Sequence, residues 1–521
     1  MRNGLREFVL DDEAPAAISA LTTNGTKLAW SADGGTRTLR RTWLDTRDWR
    51  LYRAGLTLEQ VRSRGPADLT LTGRDGEVIA AQQVTAAQRI TWPSLLGALP
   101  AGPLLEHLEP VVGVRALAPV ARAVSRIRDR RVLNSDDKTV ARLAIDRMSV
   151  TFPAQAQAQP RLTIWPLRGY QAQAIRLAEL LTAGPGAAGS TQSALEAALA
   201  AAGRHPGDYS GKIDEQLAAP MAAGDALAAV LTALLDTLEA NVSGTVRDVD
   251  TEFLHDLRVA VRRTRCALKL AGDALPPGLA RRFAPEFRWL GALTTPTRDL
   301  DVYLLDYPGM AAGLVAATPA ELEPFHGYLA AGRAAAHRGL ARGLRSARFT
   351  RLTAQWRDAL AGVPRAKGKR RKAGQFAAAR IARAHRRVIA GGSAITDASA
   401  PPSLHELRKR CKELRYLLEI FGSLYDPAEL WQAVRALKAL QDCLGEFQDC
   451  EVQHSEIRVF AAQMMAQRTA PAATLLAMGE IAAGLALRQH RARGEFGDRF
   501  RAFAGRASQA KIAALTQAAS S

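Results

Sequence analysis

Two spacings of apolar residues divide the chain. Up to about residue 215, apolar and polar residues alternate over short stretches such as RTLRRTWLDT (37–46) and ADLTLTG (67–73), which close on Gly or Asp. Alternation sends every second side chain to one face, the pattern of a half-buried antiparallel strand. RLTIWPLRG (161–169) reads the same way, with Pro166 predicting an edge strand or a bulge because proline gives the ladder no donor. The segments 174–184 and 194–203 predict helices within this part. From about 218 the apolar spacing lengthens to that of a helix, and Pro and Gly fall mainly between periodic segments. Helices are predicted over 226–242, 253–272, 330–347, 375–392, 403–422 and 431–444, with the last dozen residues frayed. The expected fold class is α+β, an antiparallel β domain over 1–215 followed by an all-α domain over 218–510. The basic stretch VPRAKGKRRKA (363–373) predicts a linker between two helical halves, about 218–362 and 374–510.

Charge adds a direction to this frame. The 521 residues carry 70 Lys+Arg and 51 Asp+Glu, for a net charge of +19. Residues 1–217 hold 27 basic and 22 acidic residues, the remainder 43 and 29, so most of the excess lies in the helical part. Such a field favours a polyanion as partner. The first residues, MRNGLREFVLDDEAP, lack the apolar core of a secretory signal. No uninterrupted apolar run reaches the ~18–20 residues of a membrane span. Four cysteines, at 266, 411, 443 and 450, show no CxxC spacing and do not amount to a disulfide framework. Cys443 and Cys450 lie seven apart, with Gly445 predicting a loop between them. Buried thiols in a reduced, cytoplasmic setting are the expectation.

The helical part contains a repeat. HDLRVAVRRTRCALKL begins at His255 and HELRKRCKELRYLLEI at His405, an offset of 150. Without gaps, His255, Leu257, Arg258, Arg262 and Arg265 meet His405, Leu407, Arg408, Lys412 and Arg415. The match continues downstream, where Arg288, Leu290, Asp299, Asp301 and Val302 meet Lys438, Leu440, Asp449, Glu451 and Val452. Two helical halves related by pseudo-symmetry are expected. At ~100° per residue, His255, Arg258, Arg262, Arg265 and Lys269 form one stripe of a helix, beside a stripe of Leu254, Leu257, Val261 and Leu268. The second copy sets His405, Arg408, Lys412 and Arg415 beside Leu404, Leu407, Cys411, Leu414 and Leu418. Like charges stacked at i, i+3 and i+4 destabilise a helix by about 0.2–0.5 kcal/mol per pair. A solvated basic face accounts for one such stripe; two in register point to a phosphate cradle. Guanidinium forks grip phosphate oxygens, lysine adds point charge, and histidine gains a proton beside an anion. Aromatics are 6% of the chain and neither stripe contains one, so stacked bases are a poorer match than phosphate alone.

The motif H-x-L-R-x3-R-x2-R, the segment LGALTTPTRDLDVYL and the later HELRKRCKELRYLLEIF resemble the CHAD domain, the conserved-histidine α-helical domain, over about 218–505. The resemblance implies a two-half helical bundle whose basic surface binds inorganic polyphosphate, in a cytoplasmic protein associated with polyphosphate granules. It places the binding residues at His255, Arg258, Arg262, Arg265, His405, Arg408, Lys412 and Arg415, and the helix stripe adds Lys269. Arg263, Arg288, Arg298, Lys409 and Lys438 extend the candidate set. Nucleic acid is the alternative partner of the same surface.

The N-terminal part resembles the CYTH domain, the triphosphate tunnel fold, through RRTWLDTRDWRLYRAGLTLEQVRSRG (40–65), LTLTGRDGE (69–77) and VARLAIDRMSV (140–150). That family holds divalent metal on inward carboxylates of a Glu-x-Glu-x-Lys strand and a later strand. Here the first strand reads LREFVLDD, with Glu7 as the one candidate; LTIWPL has no Glu; and Thr72 stands where Lys is usual. A degenerate β-tunnel with no catalytic residue, metal or cofactor is expected, and a CYTH-type inorganic triphosphatase is the enzymatic alternative. Arg40, Arg41, Arg62 and Arg64 either bind an anion or lie on the outer surface. Two other patterns carry less. GPGAAG (184–189) follows a helix instead of a strand, against a nucleotide turn. His255-Asp256 resembles the HD phosphohydrolase dipeptide, but the repeat replaces Asp256 by Glu406. His326, His337, His385, His454 and His490 are scattered; of these His337 and His385 lie in basic helices, where they are either solvated, the expected case, or extend the anion surface.

Overall fold

The computed structural model describes residues 6–11, 27–29, 36–85, 90–134, 136, 138–183, 186–363 and 371–518. They form two compact units, Met1–Ser210 and Gly211–Ser521. In the first, eleven strands make one antiparallel sheet: β1 (Arg6–Leu10), β2 (Lys27–Ala29), β3 (Arg37–Asp45), β4 (Leu56–Arg62), β5 (Ala67–Gly73), β6 (Val78–Val84), β7 (Ala118–Leu133), β8 (Thr139–Phe152), β9 (Ala156–Gln157), β10 (Arg161–Pro166) and β11 (Ala187–Gly189). Their order is β11-β1-β10-β8-β7-β3-β4-β5-β6, with β2 on β7 and β9 on β8. A short helix α1 (Arg50–Arg53) follows β3, and α2 (Pro103–Val112), α3 (Gln171–Ala183) and α4 (Ala194–Ala201) pack on the sheet. One face is covered at two ends, by α2 over Leu58, Leu69 and Leu71 and by α3 over Leu143, Leu162 and Ile164. The opposite face meets α4, where Trp43, Met148 and Val150 bury against Leu195 and Leu199. Pro166 is not on an edge: β10 lies between β1 and β8, and the proline is its last residue, where pairing ends. Of GPGAAG, residues 184 and 185 lie outside the described residues; 187–189 form β11 beside β1.

The second unit is all helical: α5 (Ala223–Val246), α6 (Thr251–Leu270), α7 (Leu279–Ala312), α8 (Pro319–Leu344), α9 (Ala347–Ala361), α10 (Ala373–Ser393), α11 (Pro401–Ile420), α12 (Pro427–Ala466), α13 (Ala472–Ala504) and α14 (Arg506–Ala518). The offset of 150 recurs in the elements themselves: Ala223 and Ala373 open α5 and α10, and α6 and α11 begin and end 150 residues apart. Both halves feed one core, in which Leu231, Leu257, Phe287 and Trp356 share a cluster with Phe376, Leu414, Leu440 and Phe503. A smaller core at the far end joins Phe325 and Leu329 to Ile457 and Met478. Of the predicted linker, 364–370 lie outside the described residues; Val363 is buried and Ala373 already opens α10. Two expectations fail. Gly445 breaks nothing, because α12 runs unbroken through it for 40 residues, packed along α13; one glycine costs a helix only ~1 kcal/mol. The C-terminal residues form α14 through Ala518, held by buried Ile512 and Leu515. All four cysteines are buried and free. Helix α5 is long and apolar enough to cross a membrane, and it contributes Leu227, Val230, Leu234 and Leu238 to the main core.

Candidate anion site on the helical unit

The repeated motifs lie on α6 and α11. Asp250 starts α6 by accepting from the amides of Glu252 and Phe253 at 2.9 and 3.2 Å, satisfying donors the helix end leaves free. Contacts between the halves come in reciprocal sets. Ala223 N donates to Arg371 O and Ala373 N to Met221 O, flanking a bridge between Ala222 and Lys372. Arg263 pairs with Glu419 at 2.8 Å, and the same pair displaced by 150 is Lys269 with Glu413. Tyr303 Oη donates to Glu456 at 2.8 Å; its counterpart is Gln453 Nε2 to Asp306 at 3.5 Å. A contact mirrored by its own exchange marks a two-fold relation, as in an isologous dimer, here within one chain.

The stripes meet at this local axis. Arg262 and Lys412 are counterparts, and the Arg262 guanidinium disfavours the Lys412 charge. Burial first, then Arg408 and Arg262, bring the Lys412 ammonium down to about 8, with Asp449 opposing. The Arg262 guanidinium stands over the Tyr416 ring at 5.8 Å. Arg258 Nη1 donates to Thr294 Oγ1 at 3.0 Å and Thr295 Oγ1 at 2.8 Å. Burial lowers its pKa, and Asp299 works the other way. Arg265 Nη1 lies 3.0 Å from where a Cβ on Gly291 would stand; the counterpart of that glycine, Gln441, accepts from Arg415 at 3.4 Å. Burial and Arg298 lower the pKa of His255, while His405 Nδ1 contacts Gln448.

Four of the other candidates are held in ion pairs. Arg408 pairs with Asp449 at 3.0 Å, Arg415 with Glu419 at 2.8 Å, Lys409 with Glu406 at 3.3 Å and Lys438 with Asp442 at 3.1 Å. Arg288 is exposed, and Arg298 Nη1 is buried with no partner. His337 Nε2 lies 2.8 Å from Thr245 O, and His385 is buried against Phe503. Among the described residues, no ion pair ties Arg258, Arg262, Arg265 or Lys412; the pairs nearby belong to their neighbours.

A cavity of about 1070 Å³ brings His255, Arg258, Arg262, Arg298, His405 and Arg408 into one lining. Its other wall is acidic: Asp299, Asp306, Glu446, Asp449, Glu456 and Glu480. Reading one helix face at a time misses that wall, because α7, α12 and α13 supply it. The signal was available in the repeat, which aligns Asp299 with Asp449.

In the first unit, three of the strand carboxylates on the face opposite α2 and α3, Glu7, Glu59 and Asp146, are already neutralised. Arg41 binds Glu59 and reaches Asp146 at 3.3 Å, and Ser125 Oγ donates to Asp146 at 3.0 Å. Burial works against the Arg41 charge, but Glu59 and Asp146 outweigh it and hold the guanidinium above its ordinary pKa. Arg161 pairs with Glu7 at 2.7 Å. These residues do not fit a divalent cation: arginine already supplies the positive charge its ligands need. Thr72 Oγ1 donates to Thr57 O at 3.4 Å, and Arg40, Arg62 and Arg64 are exposed.

Residues 229–458 match the family model of the CHAD domain. Among solved structures, the chain is similar to the CHAD domain from the plant Ricinus communis, at 25% identity over 59% of this chain and 96% of that one, TM-score 0.43. It is similar to PptA from Streptomyces chartreusis at 17% identity, over 54% and 100% of the two chains, TM-score 0.44. HpAC1 from Hippeastrum, an adenylyl cyclase candidate described as revealing a dominant triphosphatase activity, is similar at 14% identity over 40% and 99%, TM-score 0.27. No curated protein matches the chain. The helical unit, with its duplicated His-Leu-Arg motif astride a local two-fold axis, carries a CHAD domain.

Proposed function

We propose that the helical unit binds inorganic polyphosphate at the junction of α6 and α11, as a non-catalytic polyphosphate-granule-associated protein of the cytoplasm. The observation that carries the proposal is the set Arg258, Arg262 and Lys412, the first and last half-buried and Arg262 exposed beside them, with no carboxylate paired to any of the three among the described residues. Like charges gathered this way cost stability, and a polyanion removes the cost while gaining charge-assisted hydrogen bonds of about 1.5–3 kcal/mol each before solvent screening. The acidic wall beside them limits the footprint to a narrow chain and disfavours a bulky nucleic acid. The test is titration of the full chain with polyphosphate, comparing wild type with Arg258→Ala/Arg262→Ala/Arg408→Ala/Lys412→Ala. One binding step should weaken on the order of 100-fold and lose most of its salt dependence, with the melting temperature unchanged or higher. Undiminished affinity in the folded variant would sink the reading. Displacement of bound polyphosphate by RNA at lower concentration than by free polyphosphate would favour the nucleic-acid alternative.

A further inference from the structure

The sheet of the first unit divides its charge between two faces. In the register of β3, β4, β7 and β8, Arg40 faces Arg62 directly, and Arg126 faces both Thr38 and Arg147. Directly opposed residues lie on one face, and alternation puts Arg122 and Arg128 there too. All six arginines, at 40, 62, 122, 126, 128 and 147, are exposed. They occupy the stretch of that face between the parts covered by α2 and α3. The strand carboxylates, Glu7, Asp45, Glu59, Asp68, Asp129 and Asp146, all fall at positions of the other parity and therefore on the opposite face. On the opposite face four of the carboxylates are neutralised, through Arg41 with Glu59 and Asp146, Arg37 with Asp129 and Arg161 with Glu7, and one pair of arginines, Arg131 and Arg142, stands directly opposed there. None of the six exposed arginines has such a partner among the described residues. Like charges directly opposed across a ladder destabilise it, and here two such pairs share one face of a unit whose net charge is only slightly positive.

We infer that this arginine face is a second anion-binding surface and that its ligand is inorganic polyphosphate, held by a flat sheet face and independent of the helical junction. The ligand class rests on the reading proposed for the helical unit; the surface itself rests on the strand register. The chemistry suits a polymer of phosphates without bases. Six guanidinium forks present donors on neighbouring strands ~4.7–4.9 Å apart, and the exposed aromatic nearby, Phe152, already carries the Arg122 guanidinium 5.9 Å over its ring. Strand binders of nucleic acid need open stacking platforms, and this face offers none.

The test uses the full chain in four forms: wild type, the helical variant described above, the sheet variant Arg40→Gln/Arg62→Gln/Arg126→Gln/Arg147→Gln, and the two combined. Each is titrated with a short polyphosphate chain that cannot span two sites. Wild type should take up two equivalents, each single variant one, and the combined variant none. In the double variant Arg126→Gln/Arg147→Gln the sheet step should remain, weakened, and its slope of log affinity against log salt should fall by roughly 0.7–0.9 for each arginine removed, a readout that a purely structural role would not move. If the fourfold variant does not fold, Arg126→Gln/Arg147→Gln alone should still make that step shallower in salt. A folded sheet variant that keeps both equivalents overturns the inference, as does a sheet step that single-stranded RNA occupies in preference to polyphosphate. A helical variant that keeps two equivalents, beside a sheet variant that keeps one, leaves the arginine face standing and removes the helical proposal.

Discussion

Lys412 shows how one side chain records the purpose of its neighbours. An isolated lysine on a helix keeps its ordinary pKa; this one is brought down to about 8 by burial, Arg408 and Arg262. The consequence for stability has a definite sign. Between about 8 and the ordinary 10.5 the unfolded chain binds more protons than the folded one, so stability rises with pH across that window. Below 8 both states are protonated, and the folded state bears the full cost of the crowded charge. Lys412→Met should therefore raise the melting temperature at pH 7 by a few degrees, on the order of 1–2 kcal/mol once solvent screening is allowed for. The gain should shrink as pH approaches 10, in paired melts of the two proteins. Equal melts at pH 7 would mean that the ammonium is not under strain. Arg41 tells the complementary story. Its sequence context gave no means of choosing between a free cation and a paired one, because Glu59 and Asp146, its partners, come from strands 18 and 105 residues away.

At the scale of elements, alternation located β3 and β5 almost to the residue, and helical spacing located α6 and α11 within two residues at each end. Those segments were legible because one face of each is buried and the other is not. Long α12 and the terminal α14 were not, since their extent is decided by packing along neighbouring helices and not by local propensity. Two glycines separate these influences. Gly392, near the end of α10, is buried with the Phe500 ring occupying the space a Cβ would need. Gly494, in α13, is exposed with nothing within 4 Å of that position. Replacing either by alanine gains helix propensity of up to ~1 kcal/mol. At Gly392 overpacking against a buried ring costs about 1–3 kcal/mol and wins. Gly392→Ala should thus destabilise by about 1–2 kcal/mol and Gly494→Ala should stabilise by up to ~1 kcal/mol, in denaturant titrations with unchanged slopes. A stabilised Gly392→Ala would show that Phe500 yields without loss.

For the whole molecule, the duplication raises the question of what the folding unit is. The repeat and its basic linker describe two halves of similar length, and each half has its own helices and basic stripe. The core does not follow that division. Phe287 and Trp356 from one side and Phe376, Phe421 and Phe503 from the other lie in a single cluster, and the smaller core joins α7 and α8 to α12 and α13. Cutting at 364–370 would uncover both clusters at once. At about 25 cal/mol for each Å² of apolar surface left in water, even a few hundred Å² exceed the several kcal/mol by which a domain is stable. Fragments 211–363 and 371–521 should each lack a cooperative thermal transition and bind a hydrophobic dye. Mixed in equal amounts, they should recover the transition, with a midpoint that rises with concentration because folding has become an association. Calorimetry of each fragment and of the mixture decides the matter. A cooperative melt from either fragment alone would make the halves independent domains, and the reciprocal pairs Arg263–Glu419 and Lys269–Glu413 would then be contacts between finished surfaces and not part of one folding core.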